Sequence, residues 1–291
     1  MKIAFTLLHY NNLQVTRKSV EYLKKLKGFN ACDIIIVDNA SPNGTGKALE
    51  ELYSDTPNIK VIINKKNGGF AYGNNIGYKY AKNKGCDIII VMNNDIFIKD
   101  KEFIVKLREI AKKTNSEIIA PNIIGRKGPQ NPLRLERLSD RKLHKMLRYN
   151  STINILYHIP LINSFLAKIL DTKNKNKTPS TVKCKNGANC IPHGACVVFM
   201  PNWVKRENFT FLPKTFMYFE EDILGEYLWQ KGYRATYDGS LVVYHVEDAS
   251  VEYDNKTSVK KREFISRCMK NSIVVLVSMR EQNINKMSKR R

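Results

Sequence analysis

Acidic residues are scarce in this chain. Its 291 residues contain 27 Asp and Glu against 49 Lys and Arg, which gives a formal net charge of +22 at pH 7. A charge of this sign attracts anionic partners, and nucleic acid, acidic lipid and nucleotide-linked substrates all qualify. A hydrophobic content of 43% with 10% aromatic residues is typical of a globular protein and not of a disordered one. We therefore expect a folded domain whose excess positive charge meets an anionic partner.

Long apolar segments and cysteine frameworks are also lacking. The most apolar long segment, residues 153–170, is interrupted by His158, Pro160 and Lys168, which argues against a membrane span. The apolar run at residues 3–8 is too short for the core of a signal peptide, and we expect a strand there. The six cysteines are scattered along the chain, which favours reduced thiols and a cytoplasmic location.

Apolar runs and helical repeats alternate along the first 120 residues. The runs that predict buried strands are residues 3–8, 33–38, 59–63, 87–93 and 118–120. Amphipathic segments between them predict helices, and this alternation is typical of an α/β domain with a parallel sheet. Later segments predict strands at 195–200 and 241–245, and helices at 221–231 and 258–291.

Two of these strands end in carboxylates. Asp38 ends the second strand, and Asp95 follows the fourth after Asn93 and Asn94. We expect the two strands to be neighbours, with ligands bound outside their carboxyl ends. The intervening loop at 64–69 contains glycines that allow a close backbone approach, although they fit neither dinucleotide-binding nor P-loop motifs. Together these features indicate one site for a divalent cation and a diphosphate.

Basic residues predominate between residues 126 and 185. They include Arg134, Arg137, Arg141, Lys142, Lys145, Arg148, Lys168, Lys173, Lys175 and Lys177, opposed by Glu136, Asp140 and Asp171. Apolar residues recur at helical spacing from Ile153 to Ile169. This helix either packs on the domain or docks on an anionic membrane, and both interpretations remain open. We expect residues 171–181 to form a mobile loop, and the chain ends in Lys286, Lys289, Arg290 and Arg291.

A series of motifs, in order along the chain, resembles the inverting glycosyltransferases of family 2. The motifs are Leu8-His9-Tyr10-Asn11, Val37-Asp38-Asn39-Ala40-Ser41, Asn67-Gly68-Gly69-Phe70-Ala71, Gly73-Asn74-Asn75-Ile76-Gly77, Asn93-Asn94-Asp95, His193-Gly194-Ala195, Phe216-Met217-Tyr218-Phe219-Glu220-Glu221, Gly232-Tyr233 and Tyr244-His245. The resemblance spans roughly residues 1–250 apart from the basic insertion. It points most to the bacterial branch that builds capsule or lipopolysaccharide chains, including rhamnosyltransferases.

The resemblance implies a GT-A fold, a Rossmann-like, mostly parallel sheet flanked by helices. It also implies a nucleotide-diphosphate sugar donor, a divalent cation such as Mn²⁺ or Mg²⁺, and transfer to an acceptor hydroxyl. The chain then divides into a nucleotide-sugar-binding half at 1–125, the basic helical insertion at 126–185, an acceptor and catalytic half at 186–255, and a basic C-terminal helix at 256–291.

The same resemblance implies roles for individual residues. Asp95 would bind the metal, and His245 would join the metal or the diphosphate, or simply cap its strand. Spacing back from Gly232 places the general base at Glu221, with Asp222 as a rival. The acidic cluster also suits a plain helix N-terminus. The implied nucleotide-sugar contacts are Tyr10, Asp38, which would bind the nucleobase, Asn39, Asn67, Gly69, Asn74 and Asn94; His193, Gly194 and Glu220 would lie on the acceptor or donor-sugar side.

Three functions remain open from the sequence. The first is a metal-dependent inverting glycosyltransferase, peripheral on the cytoplasmic face of a bacterial membrane, with a saccharide acceptor linked to a polyprenyl lipid. The second is a nucleic-acid-binding protein, which the charge fits although no known nucleic-acid-binding motif is present. The third is a nucleotidyltransferase with a similar sheet, which would release pyrophosphate.

Overall fold

The computed structural model describes residues 1–157, 159, 182, 184–247 and 258–288. The strands are β1 (Ile3–His9), β2 (Cys32–Asp38), β3 (Ile59–Ile63), β4 (Ile88–Asn93), β5 (Ile96–Phe97), β6 (Ile118–Gly125), β7 (Gly128–Pro129), β8 (Cys196–Phe199) and β9 (Ala235–His245). The helices are α1 (Leu13–Lys24), α2 (Thr45–Leu52), α3 (Phe70–Asn83), α4 (Phe103–Lys113), α5 (Asp140–Tyr157), α6 (Pro201–Arg206), α7 (Glu220–Lys231) and α8 (Ser258–Ser288).

One mixed sheet runs through the described part of the chain. Its strand order is β3-β2-β1-β4-β8-β6-β9-β5, and β7 pairs with β6. Strands β1 to β4 are parallel, β8 runs antiparallel to both β4 and β6, and β6 is parallel to β9. The predicted mixed, mostly parallel α/β fold is confirmed. Strands from residues 1–125 and from residues 186–247 belong to the same sheet.

The expectation that β2 and β4 are neighbours is wrong, because β1 lies between them. His9 of β1 pairs with Asp38, and Leu8 of β1 pairs with Asn93. The connection from β2 to β3 extends the sheet on one side, and β4 returns to the other side of β1. All three strands still end at the same edge of the sheet, so Asp38 and Asp95 share that edge with β1 separating them.

Alternate residues of each strand pack against different helices, because successive side chains point to opposite faces. In β2, Ile34 and Ile36 join the core that contains α1, α2 and α4, whereas Ile35 and Val37 join the core that contains α3, α6 and α7. The whole of β2 is buried. Burial of both faces explains why these strands read as continuous apolar runs.

A third apolar cluster joins α5, α7 and α8. It includes Leu143 of α5, Ile223 of α7 and Ile273 of α8. Ion pairs with the buried Glu226 of α7 reinforce it, since this carboxylate lies 2.9 Å from Arg137 and 2.7 Å from Arg280 of α8. One side of the basic insertion therefore packs on the domain.

Part of the predicted amphipathic segment lies outside the described residues. Helix α5 begins at Asp140 and ends at Tyr157, so the predicted helical positions up to Ile169, the expected loop at 171–181 and the last three basic residues at 289–291 are not covered. Among the residues that are described, no helix is both long and apolar enough to cross a bilayer.

The loop that precedes α7 is held on helix α3 by the buried side-chain amide of Asn75. Oδ1 of Asn75 accepts hydrogen bonds from the Thr210 backbone N–H at 2.6 Å and from its hydroxyl at 2.8 Å, and Nδ2 donates to the Phe211 carbonyl at 2.8 Å. Thr210 and Phe211 are fully buried. These backbone groups have no access to water if the amide is removed.

We expect Asn75→Ala to lower the free energy of unfolding by about 2–4 kcal/mol, because buried backbone groups left without partners cost about 1–3 kcal/mol each. The matched control is Asn83→Ala, at an exposed position in the same helix, where the change should be below about 0.5 kcal/mol. Urea denaturation of both variants measures the difference. Equal destabilisation would show that the Asn75 amide does not anchor this loop.

Candidate active site

A cavity of about 290 Å³ opens at the edge where β1, β2 and β4 end. It is called the asparagine cavity here because four amide side chains line it. The lining residues are Leu8, Tyr10, Asn39, Asn67, Gly69, Phe70, Asn93, Asn94, Asp95, Phe216, Met217, Tyr218, Lys261, Phe264 and Ile265. Of the predicted nucleotide-sugar contacts, the structure thus brings together Tyr10, Asn39, Asn67, Gly69 and Asn94.

Hydrogen bonds fix the amides on one side of this cavity. Asn39 donates to Asn67 Oδ1 at 2.9 Å and to the Gly69 carbonyl at 3.1 Å, and its own Oδ1 accepts from Asn64 at 3.2 Å. Asn67 Oδ1 also accepts from the Gly69 N–H at 3.0 Å. The Asn67 amide nitrogen is therefore the group left to face a ligand as a donor.

Gly69 is required by the backbone at this point. Its φ of +88° is rare for other residues, and a Cβ there would clash with the Phe216 carbonyl. The same carbonyl accepts a hydrogen bond from the Phe70 N–H at 2.8 Å. The glycine therefore lets the segment before α7 approach the start of α3 and close one side of the cavity.

Two predicted nucleotide contacts lie away from the cavity. Asp38 is 1% exposed, and its carboxylate accepts hydrogen bonds from the Ser41 hydroxyl and backbone N–H. Asn74 is 2% exposed and donates to the Phe70 carbonyl at 3.0 Å. In this conformation Asp38 stabilises the turn after β2, and Asn74 stabilises the first turn of α3.

His9 is buried beside Asp38 at the end of β1. Its ring nitrogens lie 2.7 Å from the Thr16 hydroxyl and 2.9 Å from the Thr45 hydroxyl. Burial lowers the pKa of His9 to about 4, against the opposing effect of the Asp38 charge. A neutral imidazole therefore links α1 and α2 through Thr16 and Thr45.

Asp95, which lines the asparagine cavity, lies beside His245. Strand β5 pairs with the end of β9, with Ile96 opposite His245, and this register places Nε2 of His245 3.3 Å from Oδ1 of Asp95. Nδ1 of His245 lies 2.8 Å from the Gln130 side-chain oxygen, while the Gln130 amide nitrogen donates to Glu247. Nδ1 therefore carries the proton in the neutral ring, and Nε2 presents a lone pair to Asp95.

The facing atoms are both hydrogen-bond acceptors. Asp95 is 4% exposed, and its Oδ1 is buried without a hydrogen-bond donor. A buried acceptor without a donor is unusual and costly. A cation between the two atoms would satisfy this arrangement, and a carboxylate is a ligand type suited to Mn²⁺ or Mg²⁺.

A second cavity of about 300 Å³ adjoins the first and is called the acidic cavity here. Its lining residues are Phe70, Asn93, Leu133, Arg134, His193, Gly194, Ala195, Met217, Tyr218, Phe219, Glu220, Glu221, Asp222 and Met269. Both cavities share Phe70, Asn93, Met217 and Tyr218. The structure therefore places the predicted acceptor-side residues next to the asparagine cavity.

The three acidic residues that begin α7 have different partners. Asp222 is 6% exposed and binds Arg134 through both oxygens, at 2.9 and 3.2 Å. Glu220 is buried and accepts a hydrogen bond from the Thr215 hydroxyl at 2.8 Å. Glu221 is half-buried and accepts from the Gly194 backbone N–H at 3.1 Å. Asp222 is thus neutralised by Arg134, whereas Glu221 lines the cavity with a backbone N–H as its hydrogen-bond donor.

Burial changes the proton affinity of both glutamates. It raises the pKa of Glu220 to about 7, and the neighbouring Glu221 charge adds to the rise. Burial also raises the pKa of Glu221, while backbone N–H donors, including that of Gly194, oppose the rise. A carboxylate with a raised pKa is a stronger base than one in water, which suits proton abstraction.

His193 lies beside Glu221 in the acidic cavity and 6.1 Å, ring to ring, from His245. Burial lowers its pKa to about 4, and the nearby His245 adds to the effect. Its Nδ1 accepts from the Ala195 N–H at 3.1 Å. His193 is therefore neutral and carries its proton on Nε2, where it is a hydrogen-bond donor.

Several lining residues were missed by the sequence reasoning. Lys261, Phe264 and Ile265 of α8 line the asparagine cavity, yet no local motif marks them. Tyr218 and Phe219 have φ values of 72° and 68°, which aromatic side chains rarely adopt. The motif around them is part of the resemblance, but neither this backbone strain nor the presence of Tyr218 in both cavities follows from the sequence.

Comparisons with known proteins agree with the geometry. A family model described as Glycosyl transferase family 2 matches residues 7–176. The dTDP-rhamnosyl transferase RfbF of Shigella flexneri is 32% identical over 116 residues, which cover 37% of this chain and 38% of that protein. The hexosyltransferase Agl10 of Haloferax volcanii, named for low-salt glycan biosynthesis, is 31% identical over 117 residues. These residues cover 39% of this chain and 36% of that protein. The matches span less than two fifths of the length of these curated relatives.

Solved structures with the same fold include two that hold a nucleotide sugar. TarS residues 1–349 of S. aureus, in complex with UDP-GlcNAc, gives a TM-score of 0.56 at 14% identity over 91% of this chain and 66% of that chain. The mannosyltransferase PcManGT of Pyrobaculum calidifontis, in complex with GDP-Man and Mn²⁺, gives a TM-score of 0.53 at 10% identity. This match covers 99% of this chain and 79% of that chain. With a GT-A fold and a family model that matches more than half of its length, this chain belongs to glycosyl transferase family 2.

Proposed function

We propose that this chain transfers a sugar, with inversion, from a nucleotide-diphosphate donor to a hydroxyl group of a saccharide acceptor. The observation that carries the proposal is the contact between the two cavities. One is lined by amides and the Asp95 carboxylate, and the other by Glu221, with Asn93 and Tyr218 shared between them. A donor in the asparagine cavity and an acceptor in the acidic cavity would meet at this junction, with residues 1–125 supplying most donor contacts and residues 186–255 the catalytic ones.

Asp95 and His245 would hold the divalent cation, Mn²⁺ or Mg²⁺. Their buried, facing acceptor atoms fit a cation, and water with the donor's phosphate oxygens would complete its coordination. The Mn²⁺ named with PcManGT supports this assignment. When bound, the cation stabilises the negative charge of the departing diphosphate.

Glu221 would be the general base. As the acceptor oxygen bonds to the anomeric carbon, its proton passes to the Glu221 carboxylate, and the bond from that carbon to the phosphate oxygen breaks with its electrons leaving on the nucleoside diphosphate. The half-buried Glu221 is better placed for this than Asp222, which Arg134 neutralises. Gly194 N–H orients the carboxylate, and the His193 ring is available to hydrogen-bond the acceptor or the donor sugar.

The donor and the acceptor are proposed from the names of similar proteins and from the sequence motifs. The names of the relatives and neighbours include dTDP-rhamnose transfer, UDP-GlcNAc and GDP-Man, so these three donors form the test panel. The acceptor we propose is a polyprenyl-linked saccharide in bacterial surface-polysaccharide synthesis, because the motifs most resemble that branch. Release of a nucleoside diphosphate distinguishes this reaction from nucleotidyl transfer, which releases pyrophosphate.

We further propose that α5 holds the enzyme on an anionic membrane surface, as on the cytoplasmic leaflet. The outward side of α5 exposes Arg141, Lys142, Lys145 and Arg148. Tyr149 and Ile155 on the same helix are 52% and 65% exposed. Arg134 and Arg137, by contrast, are engaged in ion pairs with α7. A basic helix with exposed apolar side chains is suited to the surface of an acidic bilayer.

We expect Asp95→Asn to abolish the Mn²⁺-dependent release of nucleoside diphosphate and the Mn²⁺-dependent part of nucleotide binding, because the cation loses its charged ligand. Calorimetry with and without Mn²⁺, together with product analysis over the donor panel, measures both effects. Asp100→Asn is the matched control, since Asp100 pairs with Lys106 outside the cavity, and it should behave as wild type. Unchanged turnover in Asp95→Asn would refute the metal assignment.

Glu221→Gln should lower turnover by about 10²–10⁴-fold while nucleotide binding stays near wild type, because only the proton acceptor is lost. Its raised pKa gives a second signature. The Glu221 carboxylate acts as a base only when it is ionised. Wild-type kcat/KM should therefore fall as the pH drops through the raised pKa of Glu221, which lies above the ordinary glutamate pKa of about 4.3. Glu221→Gln should lack this acidic limb of the pH profile. Asp222→Asn should keep the limb. If Asp222→Asn is folded but inactive while Glu221→Gln is active, Asp222 and not Glu221 is the general base.

Membrane binding should depend on the exposed basic residues of α5. Replacing Arg141, Lys142, Lys145 and Arg148 with Gln should abolish flotation with anionic liposomes, because each basic residue contributes about 1 kcal/mol near such a surface. Replacing the exposed Lys47, Lys60, Lys101 and Lys113 removes the same charge elsewhere and should leave most binding intact. Wild-type binding should weaken as salt rises. Equal recovery with neutral liposomes, or equal loss in both variants, would refute a specific role of α5.

A further inference from the structure

Helix α8 forms one wall of the asparagine cavity through Lys261, Phe264 and Ile265, which are called the C-terminal wall here. The family model ends at residue 176, so the match gives these residues no role. Phe264 packs edge-to-face on Phe216, with ring centres 5.9 Å apart. The wall is therefore continuous with the segment that closes the cavity over Gly69.

Three contacts fix the position of α8 on the domain. The Ser266 hydroxyl donates to the Asn150 carbonyl of α5 at 2.9 Å, and the Ser272 hydroxyl donates to the Met217 carbonyl at 3.3 Å. Arg280 binds the buried Glu226 of α7 at 2.7 Å. Because the helix is held by α5, by the cavity segment and by α7, the backbone of Lys261 has a defined place beside the cavity.

Lys261 is the one cationic side chain among the described residues that line the asparagine cavity. The charged side chain that lines it besides Lys261 is Asp95, whose negative charge cancels part of that of a divalent cation. A departing nucleoside diphosphate carries more negative charge than the cation and Asp95 together can offset. Positive side chains that contact transferring or departing phosphates stabilise the transition state when water is excluded.

We propose that Lys261 is the cationic contact of the donor's diphosphate, and that α8 is thereby part of the donor site. This inference rests on the proposed function. The diphosphate is the anionic part of a nucleotide sugar, so it is the part that a cation in this cavity would bind. Lysine suits the task because its ammonium is a compact point charge on a flexible stem, able to follow the phosphate oxygens as the bond to the sugar breaks.

The test compares nucleoside diphosphates with their nucleosides. Binding of UDP, dTDP and GDP, and of uridine, thymidine and guanosine, is measured by calorimetry in Mn²⁺ for wild type, Lys261→Met, Lys261→Arg and Lys260→Met. Lys260 is the matched control because it is exposed on the neighbouring position of α8 and does not line the cavity. Circular dichroism and the thermal midpoint show whether each variant is folded.

We expect Lys261→Met to weaken binding of the preferred nucleoside diphosphate by about tenfold or more, as loss of a hydrogen bond to a charged group does. Its nucleoside should bind unchanged. Lys261→Arg should restore most of the affinity, and Lys260→Met should match wild type. With the full donor, Lys261→Met should raise KM and lower kcat.

Two results would overturn the assignment of Lys261. If Lys261→Met binds the diphosphate as tightly as wild type, Lys261 does not contact the diphosphate. If the variant loses diphosphate and nucleoside binding equally, Lys261 only supports the C-terminal wall. If the wild-type protein binds none of the six ligands, the proposed function fails and this inference fails with it. The two failures are therefore distinguishable.

Discussion

A short pairing between β5 and the end of β9 brings together the groups on which the proposed chemistry depends. Ile96 pairs with His245, so an imidazole from late in the chain lies beside the Asp95 carboxylate. Strand β9 reaches this point along β6, with a register shift between Pro121 and Asn122. A shift of one residue would turn His245 to the opposite face of the sheet. The register of a two-residue strand therefore determines whether Asp95 has an imidazole beside it.

The sheet could be predicted because its strands are buried on both faces and so appear as apolar runs. Strand β3 has the predicted bounds, and β2 differs by one residue. The strand order could not be predicted in the same way. Alternation of strands and helices gives connections, but β1 between β2 and β4, and β8 between β4 and β6, result from pairing between distant segments.

The site shows the same division between local and distant information. Asp95 and Glu221 could be located because one follows a strand and the other begins a helix within a recognisable motif. The partner that neutralises Asp222 could not, since Arg134 comes from the basic insertion. Asp38 ends its strand as predicted, yet its carboxylate already accepts hydrogen bonds from Ser41. Burial and hydrogen bonds decide which carboxylates remain free, and these depend on the assembled fold.

The C-terminal wall also bears on the order in which the molecule becomes complete during synthesis. The sheet contains β1 to β9, all made before α8 emerges from the ribosome. A nascent chain that has folded this sheet already has Asp95 beside His245, but it lacks Lys261, Phe264 and Ile265 along its cavity. The segment at 216–217, already bonded to the Phe70 N–H, gains its contacts with Ser272 and Phe264 only when α8 docks. The Asp95–His245 pair is thus formed early, and the asparagine cavity is enclosed only when the last described helix docks.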